Sequence, residues 1–309
     1  MSVTRLPFEH SIYLRFAQCD TSGGVHFPRY MEMANDLVEV WFRERLGVDF
    51  HEFHLTERCG LPVINTELRV LAPSHLGERL SLGVGIQNLG RSSLILTIRG
   101  HANGEDRFEI RHKLVFVSLD DMRAMPIPDS LRPGLERDLM RAPTRTLDGT
   151  APTSPEPRLA EGSAPQRHHR HSLVVRTSHC DPAGIVFYAR YFEMLAAAQE
   201  DWFERALLTP VGGALRERGL RLQIDGTAAG FERVSRISER LDIDVWVSAI
   251  NDPDFELACI VSCAGEIRLR ARINARLSPL MRAAEGNTSP RLPDDLHEWM
   301  ARFVAPANT

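Results

Sequence analysis

The chain repeats itself. Cys19-Asp20-Thr21-Ser22-Gly23-Gly24-Val25-His26-Phe27-Pro28-Arg29-Tyr30 recurs, 161 residues later and without a gap, as Cys180-Asp181-Pro182-Ala183-Gly184-Ile185-Val186-Phe187-Tyr188-Ala189-Arg190-Tyr191. The register persists through Glu32/Glu193, Met33/Met194, Glu39/Glu200, Trp41/Trp202 and Phe42/Phe203, and downstream through Thr66/Thr227, Ser74/Ser235, Glu78/Glu239, Arg79/Arg240, Leu80/Leu241 and Val84/Val245. Near each end the offset grows by four, from Pro128-Asp129-Ser130-Leu131 to Pro293-Asp294-Asp295-Leu296. A repeat of about 150 residues is an ordinary domain rather than a solenoid module, so the duplication predicts two domains of one fold. At 43% hydrophobic residues, each has material for its own core.

The local patterns give each domain the same content. Ile12, Leu14 and Phe16 alternate with Tyr13, Arg15 and Ala17, the period of a half-buried strand, and Leu173, Val175 and Thr177 repeat it. Beyond the acid-bearing turn, Tyr30, Met33, Ala34, Leu37, Val38 and Trp41 fall at helical spacing, with Glu32, Asn35, Asp36, Glu39 and Arg43 on the other face and Pro28 suited to a first helical turn. Strands are predicted over 63–72, 79–88, 93–102 and 107–119, and again over 221–228, 239–249, 255–263 and 266–277. Short helices from Leu131 to Met140 and from Asp294 to Val304 close the halves. One long helix per four or five hairpin-linked strands makes the fold class α+β, with an antiparallel sheet. The boundaries expected are 1–140, a Pro/Ala/Ser-rich linker over 141–171, and 172–309. About 30 extended residues reach roughly 100 Å, enough to cross a domain.

Charge and cysteine content remove several functions from consideration. A net charge of -4, with Lys113 the only lysine, gives no basic surface of the kind nucleic acid requires. No charged-then-apolar leader and no apolar run near 20 residues is visible, so no membrane role and a cytoplasmic location are expected. Five cysteines, an odd number, suggest no disulfide framework. Cys259 and Cys263 share one face of a predicted strand and read as core rather than as metal ligands, and His168-His169-Arg170-His171 reads as a solvated linker end. No metal and no organic cofactor is expected.

Asp20 and Asp181 each stand seven residues ahead of the predicted helix start, at Phe27 and Tyr188, in a turn that holds a glycine three residues on. Such a carboxylate has two readings. It caps the turn, as aspartates commonly do, or it faces the unpaired N–H groups of the helix N-terminus, so that a carbonyl held between them is polarised from one side and attacked from the other.

The stretch Cys180 to Tyr188 resembles the signature of the 4-hydroxybenzoyl-CoA thioesterase family, and Cys19 to Phe27 resembles it more loosely. Leu89 to Leu94, Leu114 to Val117 and Pro126-Ile127-Pro128 are similar to that family as well. The resemblance implies a hotdog fold, an antiparallel sheet wrapped around a long helix. Two such halves resemble the double-hotdog arrangement, an internal pseudo-dimer acting as such or paired into a homodimer of double hotdogs. The implied activity is hydrolysis of an acyl-CoA or acyl-carrier thioester. Asp181, and Asp20 in the other copy, is implied to serve as nucleophile or general base, with the backbone N–H at Tyr188 or Phe27 as oxyanion donor. Gly184 belongs to that motif, and the Gly90-Arg91-Ser92-Ser93 loop is implied to approach the pantetheine or phosphates of the substrate. The second copy has Asn251-Asp252-Pro253-Asp254 in place of that loop. Because family sites lie between hotdog units and like charge repels phosphate, Asp181 facing the Arg91 loop is expected to be the better site. His26 stands where the second copy has Phe187. It reads as a polar residue lining the turn or pocket, or as a second acid/base, which would make the protein a hydratase or dehydratase. A non-catalytic acyl-CoA or acyl-carrier binding protein is the third reading. Glu32 and Glu193 read as favourable first-turn charges.

Overall fold

A computed structural model describes residues 5–140, 159, 162–207, 215, 217–279 and 291–304. The backbone falls into two compact units whose main boundary lies in the linker, at Pro157/Arg158. The first contains strands β1 (Phe8–Tyr13), β2 (Cys59–Gly60), β3 (Val63–Val70), β4 (Arg79–Leu89), β5 (Ser93–Ala102), β6 (Glu105–Val115) and β7 (Val117–Ser118), with helices α1 (Pro28–Trp41) and α2 (Arg132–Arg137). The second contains β8 (His169–Val174), β9 (Leu220–Phe231), β10 (Arg240–Asn251), β11 (Asp254–Cys263) and β12 (Glu266–Pro279), with helices α3 (Tyr188–Leu207) and α4 (Asp294–Ala301).

Both units build the same antiparallel sheet. The first runs β1-β4-β5-β6-β3 and the second β8-β10-β11-β12-β9. They share a bulge at corresponding positions, between Ile86 and Asn88 and between Val247 and Ala249. At that bulge the chain end returns to the sheet. Ile86 N–H donates to the Asp138 carbonyl at 3.0 Å, and Val247 N–H to the Phe303 carbonyl at 3.1 Å. A bulge leaves one N–H unmatched in the ladder, and the closing segment takes it up.

The long helices bury the stripe their spacing predicts. Tyr30, Met31, Met33, Ala34, Leu37, Val38 and Trp41 of α1 are buried, as are Tyr191, Phe192, Met194, Leu195, Ala198 and Trp202 of α3. Fully burying a large apolar side chain contributes about 1.5–3 kcal/mol, so this face is a main source of each unit's stability. Cross-strand pairs keep their combined size between the copies. Gly100 faces Phe108 where Val261 faces Leu269, so the large ring sits over a bare backbone in one unit and two mid-sized side chains share the space in the other.

Two expectations change. Phe16 does not continue the first strand inward. β1 stops at Tyr13, residues 16–18 form a single tight turn, and Phe16 is 84% exposed. The same turn at Thr177–His179 ends the corresponding strand early. Residues 169–171 are not linker. β8 opens at His169, paired with Val245, and buried His169 and half-buried His171 both lie against Asp201 of α3, at 2.8 and 3.2 Å. The offset of four makes the ends of the two copies chemically different. Asp138 accepts the Trp41 indole N–H at 2.8 Å and the Arg45 guanidinium at 3.1 Å, whereas Trp202 packs against a tilted Trp299 and an edge-on Phe303. Cys259 is buried in the core as predicted, and among the described residues no group of His, Cys, Asp and Glu is arranged to hold a metal ion. No helix among the described residues is long and apolar enough to cross a membrane.

Candidate active site

The acid-bearing turn is the same object in both copies of the repeat. Gly23 and Gly184 each have φ +78°, the left-handed region that side chains avoid and glycine enters freely. That conformation folds the chain back, so that Gly23 N–H donates to the Asp20 carbonyl at 3.0 Å and Gly184 N–H to the Asp181 carbonyl at 2.9 Å. The turn is then strapped to the loop before the second sheet strand. Val25 N–H donates to the Ser74 carbonyl at 3.0 Å, and Val186 N–H to the Ser235 carbonyl at 2.8 Å. From there the chain passes into α1 and α3, where the Arg29 and Arg190 N–H groups donate to the carbonyls of His26 and Phe187, each at 2.9 Å.

Each carboxylate caps its own turn. Asp20 Oδ1 accepts the Ser22 N–H at 2.8 Å and the Ser22 hydroxyl at 2.6 Å. Asp181 Oδ1 accepts the Ala183 N–H at 2.9 Å. Alanine at 183 has no hydroxyl to add, so the Ser22 bond belongs to the first copy alone. Asp20 is exposed and Asp181 half-buried. Cys19 is not a nucleophile in waiting, since burial, and then the adjacent Asp20 charge, push its thiol above its ordinary range.

The other candidates have defined places. Phe27 is buried ahead of α1, and Tyr188 opens α3 with its ring against Phe187 and Phe231. His26 lies edge-on to Phe27. Glu32 and Glu193 pair with Arg29 and Arg190 of the same helix, each at 2.7 Å, which leaves them as helix-surface charges. Tyr30 and Tyr191 sit under the turns. Burial pushes both phenols up to about 12, against the pull of the Ser74 and Ser235 hydroxyls, so they stay protonated.

The Gly90-Arg91-Ser92-Ser93 stretch is the tip between β4 and β5, with its backbone pinned from three sides. Gly90 carbonyl accepts from Arg132 at 3.0 Å, Arg91 carbonyl from Ile127 N–H at 2.9 Å and Ser92 carbonyl from Phe116 N–H at 2.8 Å. The Arg91 residue itself is exposed. At the corresponding tip of the second unit the acids have internal work to do. The Asp252 carboxylate takes the Leu292 N–H at 2.7 Å, replacing the carbonyl of Arg91, and Asp254 lies 3.1 Å from Arg276. Both acids thus also hold their own hairpin tip together. No signal in one sequence separates a structural acid from a repelling one at a hairpin tip.

Comparison with known proteins agrees with this construction. A model of the thioesterase-like superfamily matches the chain twice, over residues 14–135 and 175–300. A 1,4-dihydroxy-2-naphthoyl-CoA hydrolase of Thermosynechococcus vestitus is 29% identical over 119 residues, which is 38% of this chain and 81% of that protein. One from Microcystis aeruginosa is 20% identical over 127 residues, 41% of this chain and 90% of its own. The crystal structure of a 12:0-ACP thioesterase from Umbellularia californica superposes with a TM-score of 0.69 at 14% identity, covering 88% of this chain and 94% of that one. At that identity the likeness speaks for the double-hotdog fold alone.

Proposed function

Since the chain belongs to the thioesterase-like superfamily, we propose that it is an acyl-CoA thioesterase in which Asp181 is the working carboxylate and the Tyr188 N–H the oxyanion donor. The observation that carries this reading is the turn itself. Gly184 at φ +78° folds the chain at Asp181 just ahead of the N-terminus of α3, where a carboxylate and a helix N-terminus come close in sequence. Asp181 rather than Asp20 is proposed because the second copy, Cys180 to Tyr188, carries the fuller form of the motif and the first the looser one. The named relatives that act on a CoA thioester support CoA as the carrier.

Two routes use the same groups. With Asp181 as general base, the carboxylate takes a proton from water as the oxygen attacks the carbonyl carbon, and the negative charge on the carbonyl oxygen is met by the Tyr188 N–H. The C–S bond then breaks and the thiolate leaves, taking the proton. With Asp181 as nucleophile, its oxygen attacks first, the thiolate leaves, and water hydrolyses the resulting anhydride to regenerate the carboxylate. Neither route needs a metal. Gly90, Arg91, Ser92 and Ser93 are proposed contacts of the CoA moiety, with the Arg91 guanidinium suited to a phosphate.

Free-thiol release from a panel of aromatic, medium-chain and long-chain acyl-CoAs tests this, with wild type, Asp181→Asn and Asp20→Asn compared. A loss of at least about 100-fold is expected for Asp181→Asn and a much smaller loss for Asp20→Asn. Full activity in Asp181→Asn with loss in Asp20→Asn would reverse the assignment, and thiol release from no acyl-CoA by wild type would refute the CoA-hydrolase reading.

A further inference from the structure

The turn that carries Asp181 is a small hairpin with a third piece of chain along its outer edge. Cys180 pairs antiparallel with Val186 across the turn, and Ile185 pairs with Arg236 on the far side. Phe187 N–H donates to the His179 carbonyl at 3.0 Å and Val186 N–H to the Ser235 carbonyl at 2.8 Å, so residues 185–187 run between the residues preceding Asp181 and the 235–236 segment. Glu239 closes that outer segment. Its Oε2 accepts the Arg236 N–H at 3.0 Å, its Oε1 lies 3.4 Å from Arg268 Nη2 on β12, and its carbonyl takes the Val175 N–H at 2.8 Å. The first copy repeats each part at the same offset. Cys19 pairs with Val25 and Gly24 with His75, His75 N–H donates to Glu78 Oε2 at 3.2 Å, and Arg107 of β6 reaches Glu78 Oε1 at 2.5 Å.

A hairpin tip can be no better placed than the backbone its base is seated on. The seat of the Asp181 hairpin is the 235–236 segment, a short loop piece whose outward N–H at Arg236 is taken by a side chain and not by another strand. That one carboxylate links the loop to β12 through Arg268, and therefore links Asp181 to the sheet. The Glu239 side chain is 28% exposed, and a pair of that exposure contributes little to global stability. Position is a stricter requirement, since a shift of about 1 Å at a reacting group can cost about 100-fold in rate.

Resting on the thioesterase reading, we propose that Glu239 is a positioning residue for the reaction, which holds the Arg236 N–H and so fixes the backbone on which the Asp181 hairpin is seated. The test compares full-length Glu239→Ala, Glu239→Gln and Glu78→Ala with wild type, below the melting temperature of all four, on whichever acyl-CoA of the panel wild type hydrolyses fastest. Glu239→Ala is expected to lower kcat about tenfold to 100-fold with KM within about twofold. Glu239→Gln keeps an oxygen for the Arg236 N–H and is expected to recover most of that kcat. Glu78→Ala removes the more buried of the two pairs, yet is expected to leave kcat within about threefold, because the hairpin it supports carries Asp20. Amide hydrogen exchange over residues 180–188 is expected to be at least about fivefold faster in Glu239→Ala than in wild type. Unchanged kcat in Glu239→Ala, equal losses in Glu239→Ala and Glu78→Ala, a glutamine variant as impaired as the alanine one, or unchanged exchange overturns the inference. Thiol release from no acyl-CoA by wild type refutes the parent reading alone, because the exchange measurement still decides whether Glu239 holds the hairpin.

Discussion

His112 makes the first unit acid-sensitive. It lies on β6 between Leu96 of β5 and Thr66 of β3, on the face that packs inward, where the second copy has Ile273 opposite Thr227. Burial alone lowers its pKa from 6.5 to about 3. The native state therefore holds it neutral, whereas the unfolded chain takes up a proton below about 6.5. Stability from this group is complete above pH 6.5 and declines as pH falls from there toward 3. At about 1.4 kcal/mol per pH unit, the loss at pH 5 is about 2 kcal/mol, rising to about 5 kcal/mol at the acid limit. Other titrating groups act on wild type and variant alike, so the comparison with His112→Ile isolates this one. Urea unfolding of both proteins at pH 7 and pH 5 is expected to show the free-energy difference moving by about 2 kcal/mol in favour of the variant on acidification. A difference independent of pH, or one that moves in favour of the histidine, would refute the reasoning.

Other consequences are as direct. Asp138→Ala strands the buried Trp41 N–H and removes the partner of Arg45, and a loss of about 3 kcal/mol is expected in denaturant unfolding, with Asp138→Asn losing less. Gly100→Ala puts a Cβ 2.1 Å from Cε1 of the fully buried Phe108, and a loss of about 1–3 kcal/mol is expected from thermal melts. Gly184→Ala meets no atom within 4 Å, so its cost, about 1–2 kcal/mol, comes from the backbone alone. Because that backbone aims Asp181, thiol release should fall further than stability does. Arg91→Ala is expected to raise KM for an acyl-CoA severalfold with kcat little changed, and a shift confined to kcat would argue against a phosphate contact.

The repeat, read from Cys19 and Cys180 onward, was enough to define two copies of one α+β fold, because a duplicated hydrophobic pattern can only be buried in the same way twice. Helical spacing in Tyr30 to Trp41 and the hairpin turns located the long helix and most strands, since both are set by interactions within a few residues. The glycine three residues past each aspartate was legible for the same reason, as φ +78° is a local demand. What failed were inferences that depend on distant partners. Phe16 continues the alternation in sequence but lies past the last residue β4 can pair, so it turns outward. His169 and His171 look like linker until Asp201, some 30 residues on, draws them into a strand against α3. The structural contacts of Asp252 and Asp254 could not be read ahead of the fold, since Leu292 N–H and Arg276 reach them from elsewhere in the chain. Periodicity and local turn chemistry are written along the chain; pairing between residues far apart exists only once it has folded.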